Sequence, residues 1–398
     1  MAALPTPLLE DNPFIPSLIA RGPHFADREG EVARIRSAYE TPGARLVVYG
    51  DRRMGKTSAL DRAAEGARRA KTRVAVATFA TASDPADAAA GILLAVRQQI
   101  GRRWRTALES MVGRLQGSLT VSPSPLPGTP PAVGITFGLR EQEIRGGLIP
   151  AALGAVNAQM ESEGRRMALA IDEFQRIHDW GGEDAEWALK AAMESHQAVS
   201  YVLAGSRRHV IEAMITTKGR ALWKQVDALE FGPIPPDDLA AWIQSRAVRT
   251  GVRLTLDAAD AIVKLAGPRT RDVVQLAREV WFEARRDEET GVAEVSRAMD
   301  QWVRVQASLY AALWRSRTVP EQRILRALAT DPRLQITSAG ALSRYRLGPK
   351  STVQTSAIRL VDDEQLVAET GGGYTFDDPF FRRWIELEVL PELGFAPP

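Results

Sequence analysis

The sequence has no cysteine among its 398 residues. This absence excludes a disulfide scaffold and zinc sites built from thiolates, and it fits a reducing, cytoplasmic location. The chain also lacks an uninterrupted apolar run of the roughly 18 residues that a membrane-spanning helix needs. No basic and apolar leader precedes residue 22. We therefore expect a soluble cytoplasmic protein with no membrane partner.

An excess of charge of either sign is missing as well. The chain carries 51 Lys and Arg against 49 Asp and Glu, so its net charge of +2 does not by itself indicate a nucleic-acid binder. Apolar residues make up 45% and charged residues 25%, which is ordinary for globular proteins. The length is sufficient for several domains, each with its own core. Lysine is scarce, because only 7 of the 51 basic residues are Lys.

One segment matches a phosphate-binding loop completely. Residues 50–57 read Gly-Asp-Arg-Arg-Met-Gly-Lys-Thr and fit the pattern G-x-x-x-x-G-K-[ST]. The apolar run at 46–49 predicts a buried strand before the loop, and the Ala-rich stretch at 56–70 predicts a helix after it. The alternative is a chance glycine turn at a helix start. The scarcity of lysine argues against chance at Lys56, so we predict a nucleoside triphosphate site.

The residues of this loop have expected roles. Lys56 should contact the β- and γ-phosphates, Thr57 should offer its hydroxyl to Mg²⁺, and successive backbone N–H groups should surround the β-phosphate. The predicted nucleotide-binding set is the loop and the residue after it: Gly50, Asp51, Arg52, Arg53, Met54, Gly55, Lys56, Thr57 and Ser58.

A pair of acids follows another apolar run. The run at 167–171 ends in Asp172 and Glu173. A carboxylate at the end of a strand can hold Mg²⁺, which we assign to Asp172, and the adjacent Glu173 can polarise the water that attacks the γ-phosphate. A buried strand that exits into solvent through acidic residues is the alternative. A nucleotide kinase would need only the first acid, so the pair favours hydrolysis.

Ser206 ends the next predicted strand, at 200–204. Its side chain is expected between the γ-phosphate and the attacking water, the alternative being a plain turn serine after Gly205. Arg207 and Arg208 are either phosphate contacts or the solvated start of a helix.

The remaining pattern divides the chain into three predicted domains. Strands alternate with helices up to residue 235, which indicates a parallel sheet covered on both faces, interrupted by an extended insertion with five prolines at 118–131. Residues 236–318 read as helical throughout. Residues 319–398 read as helices followed by a glycine-tipped β-hairpin, which is the plan of a winged helix.

The winged helix has two interpretations. The predicted third helix, from about residue 350 to 361, carries Ser351, Thr352, Gln354, Thr355 and Ser356, which can contact double-stranded DNA, with Arg344, Arg346, Lys350 and Arg359 nearby. However, residues 320–398 contain 9 Lys and Arg against 11 Asp and Glu, a net charge of −2. Because phosphate contacts dominate affinity for nucleic acids, a protein-binding or intramolecular module is the alternative.

In combination, these features resemble the AAA+ superfamily, and within it the archaeal-type ATPases related to origin-recognition initiators and to STAND signalling ATPases. The matching residues are Phe25-x-x-Arg28-x-x-Glu31, the loop at 50–58, the strand end at 171–173 and Ala204-Gly205-Ser206. The resemblance implies an α/β domain with a five-stranded P-loop sheet that binds ATP and Mg²⁺, a helical lid and a C-terminal winged helix.

The resemblance also implies roles for residues outside these motifs. Phe25 and Arg28 would lie by the adenine. A sensor arginine would open a lid helix, where Arg271 fits best and Arg269 is the alternate. An arginine finger would precede the last strand of the sheet, and Arg220 is the candidate if the protein forms a homo-oligomer.

The resulting hypothesis is a Mg²⁺-dependent ATPase in which hydrolysis changes the geometry of the lid, the winged helix or an assembly. The alternative is a slow nucleotide-gated switch whose winged helix binds protein rather than DNA.

Overall fold

The computed structural model describes residues 12–16, 19–100, 104–115, 117–122, 132–137, 147–369 and 372–392. The chain divides into two compact units, one of Ile19–Pro233 and one of Met1–Leu18 with Ile234–Pro398. The predicted phosphate-loop domain covers residues 1–235, so it includes the first residues of the chain. The described segment 12–16 belongs instead to the second unit, where the Asn12 side chain donates to the carbonyl of Arg278 and Phe14 packs edge-on against Trp242.

The first unit is built on a five-stranded sheet in the order β2-β5-β6-β1-β7, and every pairing in it is parallel. A separate two-stranded hairpin joins β3 and β4. The strands of this unit are β1 (Arg45–Tyr49), β2 (Val74–Thr78), β3 (Gly117–Ser122), β4 (Ala132–Phe137), β5 (Met167–Asp172), β6 (Val199–Gly205) and β7 (Asp227–Glu230). The parallel sheet that the sequence pattern predicted, and the five strands that the resemblance implied, are confirmed.

Both faces of the sheet are covered, which explains why its central strands are continuously apolar. Every residue of β5 and β6 is buried. In β1, Val47 packs into the core on one face, whereas Leu46 and Val48 pack into the core on the other face. This alternation follows from the two-residue repeat of a strand, and parallel sheets require such burial on both sides.

The helices of the first unit follow the predicted alternation. They are α1 (Glu29–Glu40), α2 (Lys56–Arg69), α3 (Pro85–Ile100), α4 (Trp104–Arg114), α5 (Leu148–Ser162), α6 (Arg176–Ser195) and α7 (Arg208–Thr216). The Ala-rich sequence from about residue 86 to 104 predicts one helix, and α3 covers it as far as Ile100. Residues 101–103 lie outside the described residues.

The proline-rich insertion was predicted as an extended segment. Its flanks form the β3–β4 hairpin, whose alternate residues Leu119, Val133, Ile135 and Phe137 pack against the core. The prolines themselves, at 123–131, lie outside the described residues.

The second unit is mainly helical. Its lid helices are α8 (Pro236–Arg249), α9 (Leu256–Ala266), α10 (Thr270–Glu283), α11 (Val292–Val305) and α12 (Ala307–Arg315). The prediction of an entirely helical lid is wrong in one detail. Two short strands, β8 (Arg253–Leu254) and β9 (Glu289–Thr290), pair in parallel between the helices.

The C-terminal elements have the predicted order. They are α13 (Val319–Thr330), α14 (Ala339–Arg344), α15 (Lys350–Asp362), β10 (Leu366–Ala368), β11 (Tyr374–Phe376), α16 (Pro379–Trp384), a π-helical turn (Ile385–Val389) and α17 (Leu390–Glu392). β10 and β11 pair antiparallel as the wing. In the part of the chain that the structure describes, no helix is long and apolar enough to cross a membrane.

Lid and wing are joined within this unit. The Arg269 guanidinium, before α10, pairs with the Asp377 carboxylate at 2.6 Å after β11. The Arg383 guanidinium in α16 pairs with Asp300 in α11 at 2.8 Å. Tyr310 stacks on Phe381, with 5.7 Å between the ring centroids. These contacts make the lid and the winged helix one packed unit, which the sequence did not predict.

Candidate nucleotide site

Three predicted parts of the site meet at the carboxyl ends of the strands in the first unit. The phosphate loop follows β1, and Ser206 follows β6. Asp172 is the last residue of β5, and Glu173 comes directly after it. All three strands are parallel and β6 lies between β1 and β5. Ser206 is therefore placed between the loop and the acids, in the crevice beyond the carboxyl ends of the strands where open α/β sheets bind their ligands.

The loop is held close to the end of β7. The Phe231 amide donates to the Tyr49 carbonyl at 2.6 Å. A Cβ at Gly50 would overlap the Phe231 carbonyl oxygen, so only glycine fits there. Arg53 has a φ of 65°, in the left-handed region. Met54 is buried and packs into the core, so its backbone rather than its side chain lines the loop.

Lys56 is the first residue of α2, and its side chain turns back into the loop. Its ammonium donates to the carbonyl oxygens of Gly50 at 2.7 Å and of Asp51 at 2.6 Å. Burial lowers the pKa of Lys56 to about 8, against the opposing effect of Glu173, Asp172 and Asp51. A buried cation inside a ring of backbone groups is suited to an anionic ligand.

Thr57 and Asp172, the two predicted magnesium ligands, are in contact. The Thr57 hydroxyl donates to Asp172 Oδ2 at 2.6 Å, and the Glu173 amide donates to Asp172 Oδ1 at 3.0 Å. Burial raises the pKa of Asp172, and the hydrogen bond from Thr57 opposes that shift. A hydroxyl and a carboxylate in contact supply the oxygen ligands that Mg²⁺ prefers, together with phosphate oxygens. The donor set therefore fits this ion.

Glu173 lies beside Ser206. Its Oε2 accepts a hydrogen bond from the Ser206 hydroxyl at 2.8 Å and another from the Gln175 side-chain amide. The Arg52 guanidinium of the phosphate loop donates to the Ser206 oxygen at 3.4 Å. Ser206 is thus in contact with both the loop and the proposed base, which is more than a turn serine requires.

Gln175 was not predicted. It is 1% exposed and lies between Glu173 and the end of β6. The only sequence signal for Gln175 is its position two residues after Glu173.

Three further predicted nucleotide contacts also have protein partners. The Ser58 hydroxyl accepts from the Ala20 amide at 3.0 Å. The Phe25 ring is half-buried and lies under the Arg62 guanidinium, 5.1 Å from it. Contact of Ser58 with the nucleotide and of Phe25 with adenine stays a prediction.

Arg28 is the third, and it is buried. Its guanidinium pairs with Glu31 at 2.8 Å and donates to the carbonyl oxygens of Met54 at 3.3 Å and Gly232 at 2.5 Å. It also lies 4.2 Å from the centroid of the Phe231 ring. These contacts give Arg28 a structural role, because it links the phosphate loop to the segment after β7. An additional contact of Arg28 with adenine stays a prediction.

Arg220 pairs within its own unit. Its guanidinium contacts both carboxylate oxygens of Glu186, at 2.5 and 3.1 Å, and Glu186 is 1% exposed. His178 Nδ1 lies 2.7 Å from the same carboxylate. The role of an arginine finger stays a prediction for Arg220, and it would require this buried ion pair to break.

The sensor candidates lie in the second unit. Arg271 is exposed on the first turn of α10, and its role stays a prediction. Arg269, the alternate, is 7% exposed and paired with Asp377.

Arg207 and Arg208, which follow Ser206, both have carboxylate partners in the first unit. Arg207 pairs with Asp179 at 2.7 Å, and Arg208 pairs with Glu230 at 2.7 Å.

The third helix of the winged helix, α15, presents a polar face. Most of the residues predicted to contact DNA are exposed: Ser351, Thr352, Gln354, Thr355, Lys350, Arg359, Arg344 and Arg346. Ser356 is the exception, because it is 7% exposed and faces the core of the domain. The prediction that Ser356 contacts DNA is therefore wrong, since it occupies the same helical face as Val353 and Leu360.

Comparisons with known proteins support the fold. A family model described as a probable winged helix domain matches residues 308–387, which confirms the winged helix. The chain is similar in structure to the Walker-type ATPase of Pyrococcus abyssi, with a TM-score of 0.57 at 15% sequence identity over 92% of this chain and 98% of that one. No curated protein sequence matches the chain.

The chain is also similar in structure to the ORC1 protein of Aeropyrum pernix, solved in complex with DNA. The TM-score is 0.49 at 15% sequence identity, over 96% of this chain and 98% of that one. The fold inference rests on the Pyrococcus protein. At this identity the likeness establishes the fold, and it confirms the P-loop α/β architecture with a C-terminal winged helix that the resemblance to archaeal-type ATPases implied.

Proposed function

We propose that this protein binds ATP with Mg²⁺ and hydrolyses it at the carboxyl ends of strands β1, β5 and β6 of the parallel sheet. The observation that carries the proposal is the convergence of two contacts at these strand ends. Thr57 is hydrogen-bonded to Asp172 at 2.6 Å, and Ser206 is hydrogen-bonded to Glu173 at 2.8 Å. These two contacts support Thr57 and Asp172 as magnesium ligands and Glu173 as the base, all beside one phosphate loop.

Each residue has a stated task in this proposal. Lys56 exchanges the carbonyl oxygens of its own loop for phosphate oxygens when the triphosphate enters. Thr57 and Asp172 would hold Mg²⁺, which supplies charge neutralisation on the phosphates. Glu173 accepts a proton from the attacking water, and Ser206 orients the water or the γ-phosphate.

Two substitutions test the proposal. Glu173→Gln keeps the size and hydrogen-bonding capacity of the side chain but removes the base, so ATP binding should persist while steady-state hydrolysis falls by roughly 100-fold or more. Lys56→Ala should abolish nucleotide binding. Glu109→Gln is the matched control for the first, because the Glu109 side chain is 50% exposed in α4. Unchanged hydrolysis in both site variants would contradict the proposal.

The consequence of hydrolysis is proposed to be a change in the geometry of the lid, the winged helix or an assembly. A helical lid and a winged helix packed together in one unit support this proposal, because they would respond as one body. The exposed polar face of α15 supports double-stranded DNA as the partner of the winged helix. The second candidate is a slow switch whose winged helix binds protein, which the net charge of −2 over residues 320–398 favours.

A further inference from the structure

Gln175 lies at the start of α6, two residues after Glu173. It is 1% exposed and it is the N-cap residue of the helix. Its backbone carbonyl accepts from the Arg207 guanidinium at 3.3 Å, and the neighbouring Phe174 amide donates to the Ala204 carbonyl at 3.0 Å. Two hydrogen bonds therefore connect the backbone around Gln175 to residues at the end of β6 and directly after it.

The side chain of Gln175 has a determined orientation. Its Nε2 donates to Glu173 Oε2, the oxygen that also accepts from Ser206. A carboxylate can only accept, so the amide nitrogen must face Glu173. Glu173 Oε2 therefore accepts from two donors, Gln175 after β5 and Ser206 after β6. These two hydrogen bonds fix the rotation of the Glu173 carboxylate. Glu173 itself has a φ of 57°, in the left-handed region.

The other end of the amide faces Gly205. Among the described atoms, Gln175 Oε1 is buried and has no hydrogen-bond partner. A Cβ at position 205 would overlap this oxygen and the Cδ1 of Ile211, so glycine at the end of β6 leaves the space that the amide occupies. A buried acceptor without a partner costs stability. A methionine would have filled the space without that cost, so the fold alone does not explain the amide.

We propose that Gln175 is a positioning residue for hydrolysis, which holds the Glu173 carboxylate against Ser206 so that it meets the attacking water. This inference rests on the proposed function. In this proposal Gln175 acts through its hydrogen bond to Glu173 and not by contact with the reacting groups. A general base works only when it lies within hydrogen-bond reach of the proton that it accepts. A small misplacement of the Glu173 carboxylate therefore lowers the rate of hydrolysis rather than the affinity for ATP.

The test is Gln175→Met, which keeps the length of the side chain and removes both polar atoms. The turnover number for ATP should fall by about 10- to 100-fold, whereas the dissociation constant for ATP should stay within about two-fold of that of the unsubstituted chain. The thermal unfolding midpoint should not fall, because the buried unpaired oxygen is also removed. Gln225→Met, at an exposed position, is the matched control.

A second variant changes β6, whose last residue Gly205 lies against the Gln175 amide. Gly205→Ala should displace the amide and produce the same loss of turnover with retained affinity, so the inference remains testable if the methionine variant folds poorly. A turnover number that is unchanged in both variants would overturn it. Loss of affinity and of thermal stability in proportion to activity would also overturn it, because that result indicates a structural role. Absence of ATP turnover in the unsubstituted chain would contradict the proposed function instead.

Discussion

At the scale of single residues, burial sets the chemistry of the site. The Lys56 ammonium has a pKa lowered to about 8 by burial, and the pKa of Asp172 is raised for the same reason. Each charge is compensated by a short contact within the site, Lys56 by carbonyl oxygens and Asp172 by Thr57. A triphosphate with magnesium offers each group a stronger partner, which is the physical basis for expecting tight binding.

The Thr57 hydroxyl is predicted to carry the magnesium dependence of ATP binding. Thr57→Val keeps the shape of the side chain and removes the hydroxyl, so the affinity for ATP should become nearly independent of Mg²⁺. Thr57→Ser keeps the hydroxyl and should behave like the unsubstituted chain. Titration of ATP with magnesium and with a chelator measures the difference. Equal magnesium dependence in the valine and serine variants would exclude this role.

Arg28 is predicted to stabilise the first unit. Arg28→Met removes two hydrogen bonds to buried carbonyl oxygens and should lower the free energy of unfolding by about 1–3 kcal/mol. Arg36→Met is the control, because the Arg36 side chain is 46% exposed and such surface pairs contribute about 1 kcal/mol or less. Denaturant unfolding compares the two variants. A loss for Arg28→Met no larger than that for Arg36→Met would contradict the structural role.

At the scale of elements, the sequence predicted most of the architecture, because local patterns are sufficient for it. Apolar runs and the phosphate-loop motif located β1, β5, β6 and α2. The buried pairs of Arg28 and Arg220 were missed. Their partners, such as Gly232 for Arg28, lie far along the chain, so no local pattern reports them.

The ion pair between Arg269 of the lid and Asp377 after the wing is predicted to stabilise the second unit. Asp377→Asn leaves the Arg269 guanidinium, which is 7% exposed, without its charged partner. Breaking a buried pair in this way costs roughly 3–5 kcal/mol, and hydrogen exchange should become faster in β11 and at the start of α10. Glu288→Gln, in an exposed pair with Arg285, is the control. Unaltered exchange in the Asp377 variant would show that the pair is not needed.

At the scale of the whole molecule, two compact units carry different parts of the proposed activity. The site described above lies entirely within Ile19–Pro233. The lid and winged helix lie in the other unit, so the proposed response to nucleotide must pass from one unit to the other. The sequence predicted the winged helix from its turn residues and periodicity. It was wrong about Ser356, which is buried in α15, because burial on a helix depends on packing.

Double-stranded DNA is predicted to bind through the exposed face of α15. Replacement of Arg346 and Lys350 by Ala should weaken binding and reduce its dependence on salt concentration, because each removes a phosphate contact. The control is Ala at Arg285 and Arg297, two exposed arginines of the lid. Fluorescence anisotropy at several salt concentrations measures the effect. Absence of DNA binding by the unsubstituted chain would favour the switch with a protein partner.

The most direct measurement of the central claim is isothermal titration calorimetry of ATP into the full chain with millimolar magnesium. We expect saturable binding with one site per chain, and no binding by Lys56→Ala, whereas Lys218→Ala, at an exposed position, should bind normally. Folded protein that gives no heat of binding with either ATP or ADP would contradict a nucleotide site at residues 50–57.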